Sequence, residues 1–144
     1  MALTDKKAVP EAEADQTIAT HIRARLEGGR LPCAAACALA AELDRPTAEV
    51  GRTADALRVP LTACQLGLFG YPGHAKGWEQ AGVAAQPAPP GLEEQLRASV
   101  DEQGALTCLS VWRAAQDTGC SRIHAGAVAD RLGLKIRDCQ LGAL

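Results

Sequence analysis

Aromatic side chains are nearly absent from this 144-residue chain, which has one Phe, one Tyr and two Trp. Sheet sandwiches draw on aromatic and β-branched residues, so a 47% hydrophobic content carried mostly by Ala and Leu points to closely packed helices. Long apolar runs are missing too. No stretch approaches the roughly 20 apolar residues that cross a bilayer, and the first residues hold no apolar run flanked by basic ones. A membrane partner is therefore not expected, and the cytoplasm is the expected compartment. The charge is nearly balanced at −2, which gives no overall pull toward nucleic acid or an anionic membrane. There is no Ser-His-Asp set, carboxylate pair, P-loop or dinucleotide glycine fingerprint. Neither Gly28-Gly29 nor Pro72-Gly73 follows a strand and opens a helix, as a phosphate cradle requires. Catalysis and a cofactor are not expected.

What is present is a repeat. Cys64-Gln65-Leu66-Gly67 returns as Cys139-Gln140-Leu141-Gly142, an offset of 75 residues. The same offset matches Leu31 with Leu106, Cys33 with Cys108, Ala40 with Ala115, Gly51 with Gly126, Ala54 with Ala129, Asp55 with Asp130 and Leu57 with Leu132. Self-similarity of this kind fixes the structural units before any fold is assigned. The division is a polar tail over 1–17, a first copy over 18–70, a linker over 71–90 rich in Pro and Gly, and a second copy over 91–144. Units this small bury a modest share of their surface, so each is expected to lean on its sibling, on a homodimer partner or on another protein.

Within the first copy, Ile18, Ile22 and Leu26 recur at helical spacing and Gly28-Gly29 marks the expected stop. Leu92, Leu96 and Val100 repeat that spacing. A second helix is expected over Cys33 to Leu43 from its Ala-rich composition, with Cys108 to Thr118 as its counterpart. Asp44 and Gly119, residue types that tolerate the left-handed conformation, follow as turns. Pro46-Thr47 and Ser121 then start a third helix, striped by Val50, Ala54 and Leu57 in one copy and by Ala125, Ala129 and Leu132 in the other. The alternation over 58–64 and 133–139 suggests a short strand, which Pro60 confines to an edge.

The spacing Ala40, Asp44, Val50, repeated as Ala115, Gly119, Ala125, resembles a helix-turn-helix. In that family a small residue permits the helix crossing, a turn residue follows four positions later, and an aliphatic plug locks the next helix. With a helix before and a strand after, each copy resembles a winged-helix domain, and the fold class expected is mainly α, with two tandem winged-helix-like repeats. The resemblance implies that the third helix enters the major groove of duplex DNA, with Thr47, Ala48, Gly51 and Arg52 outward in one copy and Arg122, Ile123, Gly126 and Ala127 in the other. Thr47, Arg52, Arg122, Lys135 and Arg137 are the candidate nucleic-acid contacts. One Arg per helix is a meagre supply for phosphate neutralisation and base readout. DNA-binding regulation is the first expectation, and a protein-interaction module on the same scaffold is the alternative.

The remaining repeated residues invite chemistry. Cys33 with Cys64, and Cys108 with Cys139, bracket helices two and three, which raises a thiol-based metal or redox sensor as a third reading. Structural zinc requires four ligands, yet Cys37 in the first copy is replaced by Trp112 in the second, so packing is the favoured role and no metal site is assigned. A Gly inside a helix costs about 1 kcal/mol relative to Ala, so Gly51 and Gly126 imply a close approach by something. Packing of the Cys-Gln-Leu-Gly segment that closes each copy against helix three is the simple candidate, and a partner backbone or a ligand is the functional one. Gln65, Gly67, Gln140 and Gly142 then belong to a closing motif, in which Gly allows the exit turn and the two Gln either satisfy local backbone groups or project to a partner.

Overall fold

A computed structural model describes residues 15–71 and 73–142. The polar tail over 1–17 lies outside these residues except for its last three positions. The described chain is mainly helical, with six helices and two small two-stranded sheets. It divides into two compact units. Among the described residues, unit 1 combines 15–64 with 140–142, and unit 2 lies within Gln65–Cys139. The chain thus leaves the first unit after Cys64 and re-enters it after Cys139, within the two copies of the repeated tetrapeptide.

Unit 1 contains α1 (Gln16–Arg23), β1 (Leu31–Pro32), α2 (Cys33–Leu43), α3 (Thr47–Ala56) and β2 (Leu61–Thr62). The Asp15 carboxylate caps α1 by accepting from the Ile18 amide at 3.0 Å. This helix ends earlier than expected. Gly28 and Gly29, both at positive φ, form a tight turn whose flanks pair Glu27 with Arg30. A two-residue turn with both centres left-handed favours glycine, so this pair serves a hairpin rather than a helix stop. The Ala-rich α2 has the extent expected, and Asp44 leaves it at φ 52. The Arg45 and Asp44 amides return to the Ala40 and Ala41 carbonyls, satisfying the exposed end of the helix.

Unit 2 repeats the order with α4 (Leu92–Ala98), β3 (Ala105–Thr107), α5 (Cys108–Thr118), α6 (Arg122–Arg131) and β4 (Lys135–Asp138). Caps are better built here. Thr107 and Ser110 form a reciprocal capping box at α5, and Ser121 accepts from the His124 amide at α6. Gly119 makes the same left-handed exit as Asp44. The turn from Asp101 to Ala105 is one residue longer than its counterpart from Glu27 to Arg30, and the Asp101 carboxylate organises it by accepting from the Gln103 and Ala105 amides.

The strands were only half expected. β2 and β4 follow the third helices, but each pairs in parallel with a strand lying immediately before the second helix, β1 with β2 and β3 with β4. Parallel neighbours need a long crossover, and the two consecutive helices supply it. Pro60 precedes β2 and gives its carbonyl to the Leu31 amide at 2.9 Å.

Ile18, Ile22, Leu31, Leu39, Val50 and Leu141 form the buried core of unit 1. Leu92, Leu96, Leu106, Val111, Val128 and Leu66 do so in unit 2. Ala40 and Ala115, the small residues of the helix-turn-helix spacing, are buried, as are Val50 and Ala125 six positions after each turn residue. Unit 2 has an additional cluster. Trp78 and Val83 pack with Ala127, Leu68 and Ile123, so the Pro/Gly-rich stretch over 71–90 contributes core as well as connection.

Candidate functional site

The third helices decide which surfaces are open. A Cβ added to Gly51 in α3 would overlap the Leu141 carbonyl oxygen and lie 2.8 Å from its carbon. In α6, a Cβ on Gly126 would overlap the Leu66 carbonyl in the same way, 2.9 Å from its carbon. The close approach expected at these glycines is therefore real, but its source is corrected. Each helix is closed by the tetrapeptide of the other copy, Leu141 on α3 and Leu66 on α6.

The glutamines follow the same exchange. Gln140 Oε1 accepts from Thr47 Oγ1 at 3.4 Å, and Gln65 Oε1 accepts from Arg122 Nη1 at 2.7 Å. Thr47 and Arg122 are the first residues of α3 and α6. Gly67 and Gly142, at φ 81 and 74, turn the chain just after these contacts. At Gly67 the turn also lets the Trp78 ring approach, and Trp78 Nε1 donates to the Leu66 carbonyl at 2.8 Å.

These contacts correct the outward face expected of the third helices. Gly51, Gly126 and Ala127 are buried, Thr47 and Ile123 are half-buried, and only Ala48, Arg52 and Arg122 remain exposed. Lys135 and Arg137 are exposed on β4. The structure brings Arg122 to Gln65; Thr47 and Arg52 belong to unit 1, and Arg122, Lys135 and Arg137 to unit 2.

Around the α5–α6 turn, unit 2 carries a pairing that sequence reading passed over. The Arg122 guanidinium lies 3.9 Å from the centroid of the Trp112 ring while donating to Gln65. A guanidinium held over an indole and fixed by an amide is preorganised, and the contact is worth about 0.5–1 kcal/mol at an exposed site. Trp112 is half-buried, and its indole N–H is shielded with no acceptor among the described residues. One turn earlier on α5, Leu109 is the exposed large hydrophobic residue of the described chain, at 36%. The signal was available at an offset of 75, where the first copy has Cys37 and Thr47 in place of Trp112 and Arg122.

Unit 1 presents ion pairs instead. Arg45 sits between Asp15 at 2.7 Å and Glu49 at 2.6 Å, and Arg25 pairs with Glu42. The Ile18 amide, followed by Arg45, holds the Asp15 carboxyl below its ordinary range, and the two carboxylates raise the Arg45 guanidinium further.

All six cysteines are thiols. Cys33, Cys64 and Cys108 are buried, whereas Cys37, Cys120 and Cys139 are half-buried. Among the described residues no group of three or more His, Cys, Asp or Glu side chains is placed to hold a metal ion. No helix among them is long and apolar enough to cross a membrane. Comparison with family models, curated proteins and solved structures finds no match for this chain.

Proposed function

We propose that this chain acts by binding rather than by catalysis, on a scaffold of two winged-helix-like repeats, and that its second unit receives a protein partner at the α5–α6 turn. The observation that carries this reading is the Arg122–Trp112 stack, exposed at its Arg122 end and fixed by Gln65. Arg and Trp are enriched among the few residues that dominate protein interfaces, and Leu109 adds apolar area beside them. The chain's own Leu66 and Leu141 occupy the middle of the helices that would otherwise read a major groove, which favours a protein over DNA as the ligand of this scaffold.

The test is affinity capture from nuclease-treated extract with the wild-type chain, Leu109→Asp and Arg122→Ala. A stoichiometric protein retained by the wild type and lost by both variants, with unchanged unfolding midpoints, supports the reading. Equal recovery by all three removes it.

Duplex DNA is the second reading, supported by the exposed cations Arg52, Arg122, Lys135 and Arg137. Binding through phosphates weakens steeply with salt, so affinity for duplex DNA is measured at two salt concentrations. A salt-independent or absent signal removes this reading.

A further inference from the structure

The repeat carries two pairs of thiols that binding does not use. In unit 2 the parallel register of β3 and β4 sets Thr107 opposite Asp138, and the next residues are Cys108 and Cys139. The register slips just before this point, leaving Arg137 as the extra residue of β4. In unit 1 Pro32 is opposite Thr62, Cys33 follows directly, and Cys64 follows Ala63, which is itself turned to φ 49. Beyond the last rung of each ladder both segments thus reach a cysteine, with one extra residue on the second strand's side. Opposed residues on adjacent strands lie about 4.8 Å apart, so the last rungs hold the residues next to the cysteines at a spacing inside the roughly 4.4–6.8 Å that a disulfide requires between its Cα atoms.

The two pairs differ in access. Cys33 and Cys64 are 4% and 5% exposed, and Cys108 is 5% exposed, whereas Cys139 is half-buried and follows a strand in which Lys135, Arg137 and Asp138 are exposed. Thiol–disulfide exchange needs a reachable attacking sulfur. We infer that Cys108 and Cys139 form a reversible dithiol/disulfide site that takes its oxidising equivalents from low-molecular-weight disulfides, with Cys139 as the sulfur that meets the reagent.

The chemistry closes without a further reactant. The Cys139 thiol gives up its proton, and its sulfur attacks one sulfur of the small disulfide. A mixed disulfide forms and one small thiolate leaves, to be protonated. The Cys108 thiol then gives up its proton and attacks the Cys139 sulfur, forming the internal disulfide and expelling the second small thiolate. The protein loses two electrons and two protons, and the small disulfide becomes two thiols. The new bond ties the first residue of α5 to the residue that immediately precedes Gln140, Leu141 and Gly142. It thus fixes the point at which the second closing tetrapeptide departs. The Cys33–Cys64 pair, sealed on both sides, reacts later.

The test incubates the intact chain with oxidised glutathione under native conditions, blocks remaining thiols by alkylation, and maps the linkages by mass spectrometry without reduction. A Cys108–Cys139 linkage is expected first, with the Cys33–Cys64 linkage following or absent, and dithiothreitol reverses it. The linkage is lost in Cys139→Ser and kept in Cys37→Ser and Cys120→Ser. A mixed disulfide that stays on Cys139, a linkage that forms only in urea, or oxidation confined to Cys37 and Cys120 overturns the inference. The mapping uses the wild-type chain, so it stands even where a Ser variant folds poorly.

Discussion

The carbonyl oxygen of Leu141 occupies the place where a side chain on Gly51 would begin. Replacing a helical Gly with Ala normally stabilises by about 1 kcal/mol through propensity. Here the new methyl group meets backbone, which cannot rotate away, and overpacking costs about 1–3 kcal/mol or more. Gly51→Ala is therefore expected to lose stability on balance, and Gly126→Ala to behave alike against Leu66. Urea unfolding of both variants checks this, and a raised midpoint in either contradicts the close packing.

Trp78 combines buried area with a hydrogen bond to the Leu66 carbonyl. Trp78→Phe keeps most of the area and loses the donor, a change of about 1–2 kcal/mol. Trp78→Ala removes both and is expected to cost about 3–5 kcal/mol. Thermal unfolding distinguishes this from a loose connecting segment, in which neither substitution would register.

The helix caps give a second comparison. Thr107→Ala removes half of a reciprocal capping box, and Ser121→Ala removes the acceptor for the His124 amide. Each is expected to lower stability by about 1 kcal/mol, read as a shift in the urea midpoint.

Asp15 predicts a pH dependence. Its folded pKa is lowered, chiefly by the Ile18 amide and then by Arg45. The stability it contributes is thus present above the unfolded value of about 3.9, and is lost as pH falls through the lower folded value. Asp15→Asn removes that contribution. The difference in urea midpoint between wild type and variant should be largest near neutral pH and shrink on acidification. A difference that grows toward acid contradicts the assignment.

Much of this arrangement is legible in the sequence. The Ala run fixes α2, Pro46 and Ser121 open the third helices, and Asp44 and Gly119 turn left-handed at matched positions of the repeat. The short strands β1 and β3 are not legible, because two or three residues leave no alternation to read and their partners lie far along the chain at Leu61 and Lys135. Gly28-Gly29 looks the same as a helix stop and as a hairpin turn until Arg30 is seen beside Glu27. The exchange of closing segments is hidden for a different reason. Leu66 and Leu141 sit in identical tetrapeptides, so nothing in either says which of Gly51 and Gly126 it will cover. The Trp112–Arg122 pair escaped because Trp112 reads first as a replacement for Cys37, with no sign that Arg122 lies over its ring.

That exchange sets which helix faces are covered and so underlies the functional reading. Amide hydrogen exchange on Leu141→Ala and Leu66→Ala tests it most directly, since each substitution loosens one closing segment while leaving the other intact. Leu141→Ala is expected to lower protection in α3, over Thr47–Ala56, and to spare α6, whereas Leu66→Ala lowers it in α6, over Arg122–Arg131, and spares α3. The reverse assignment, with Leu66→Ala exposing α3 and Leu141→Ala exposing α6, contradicts the account.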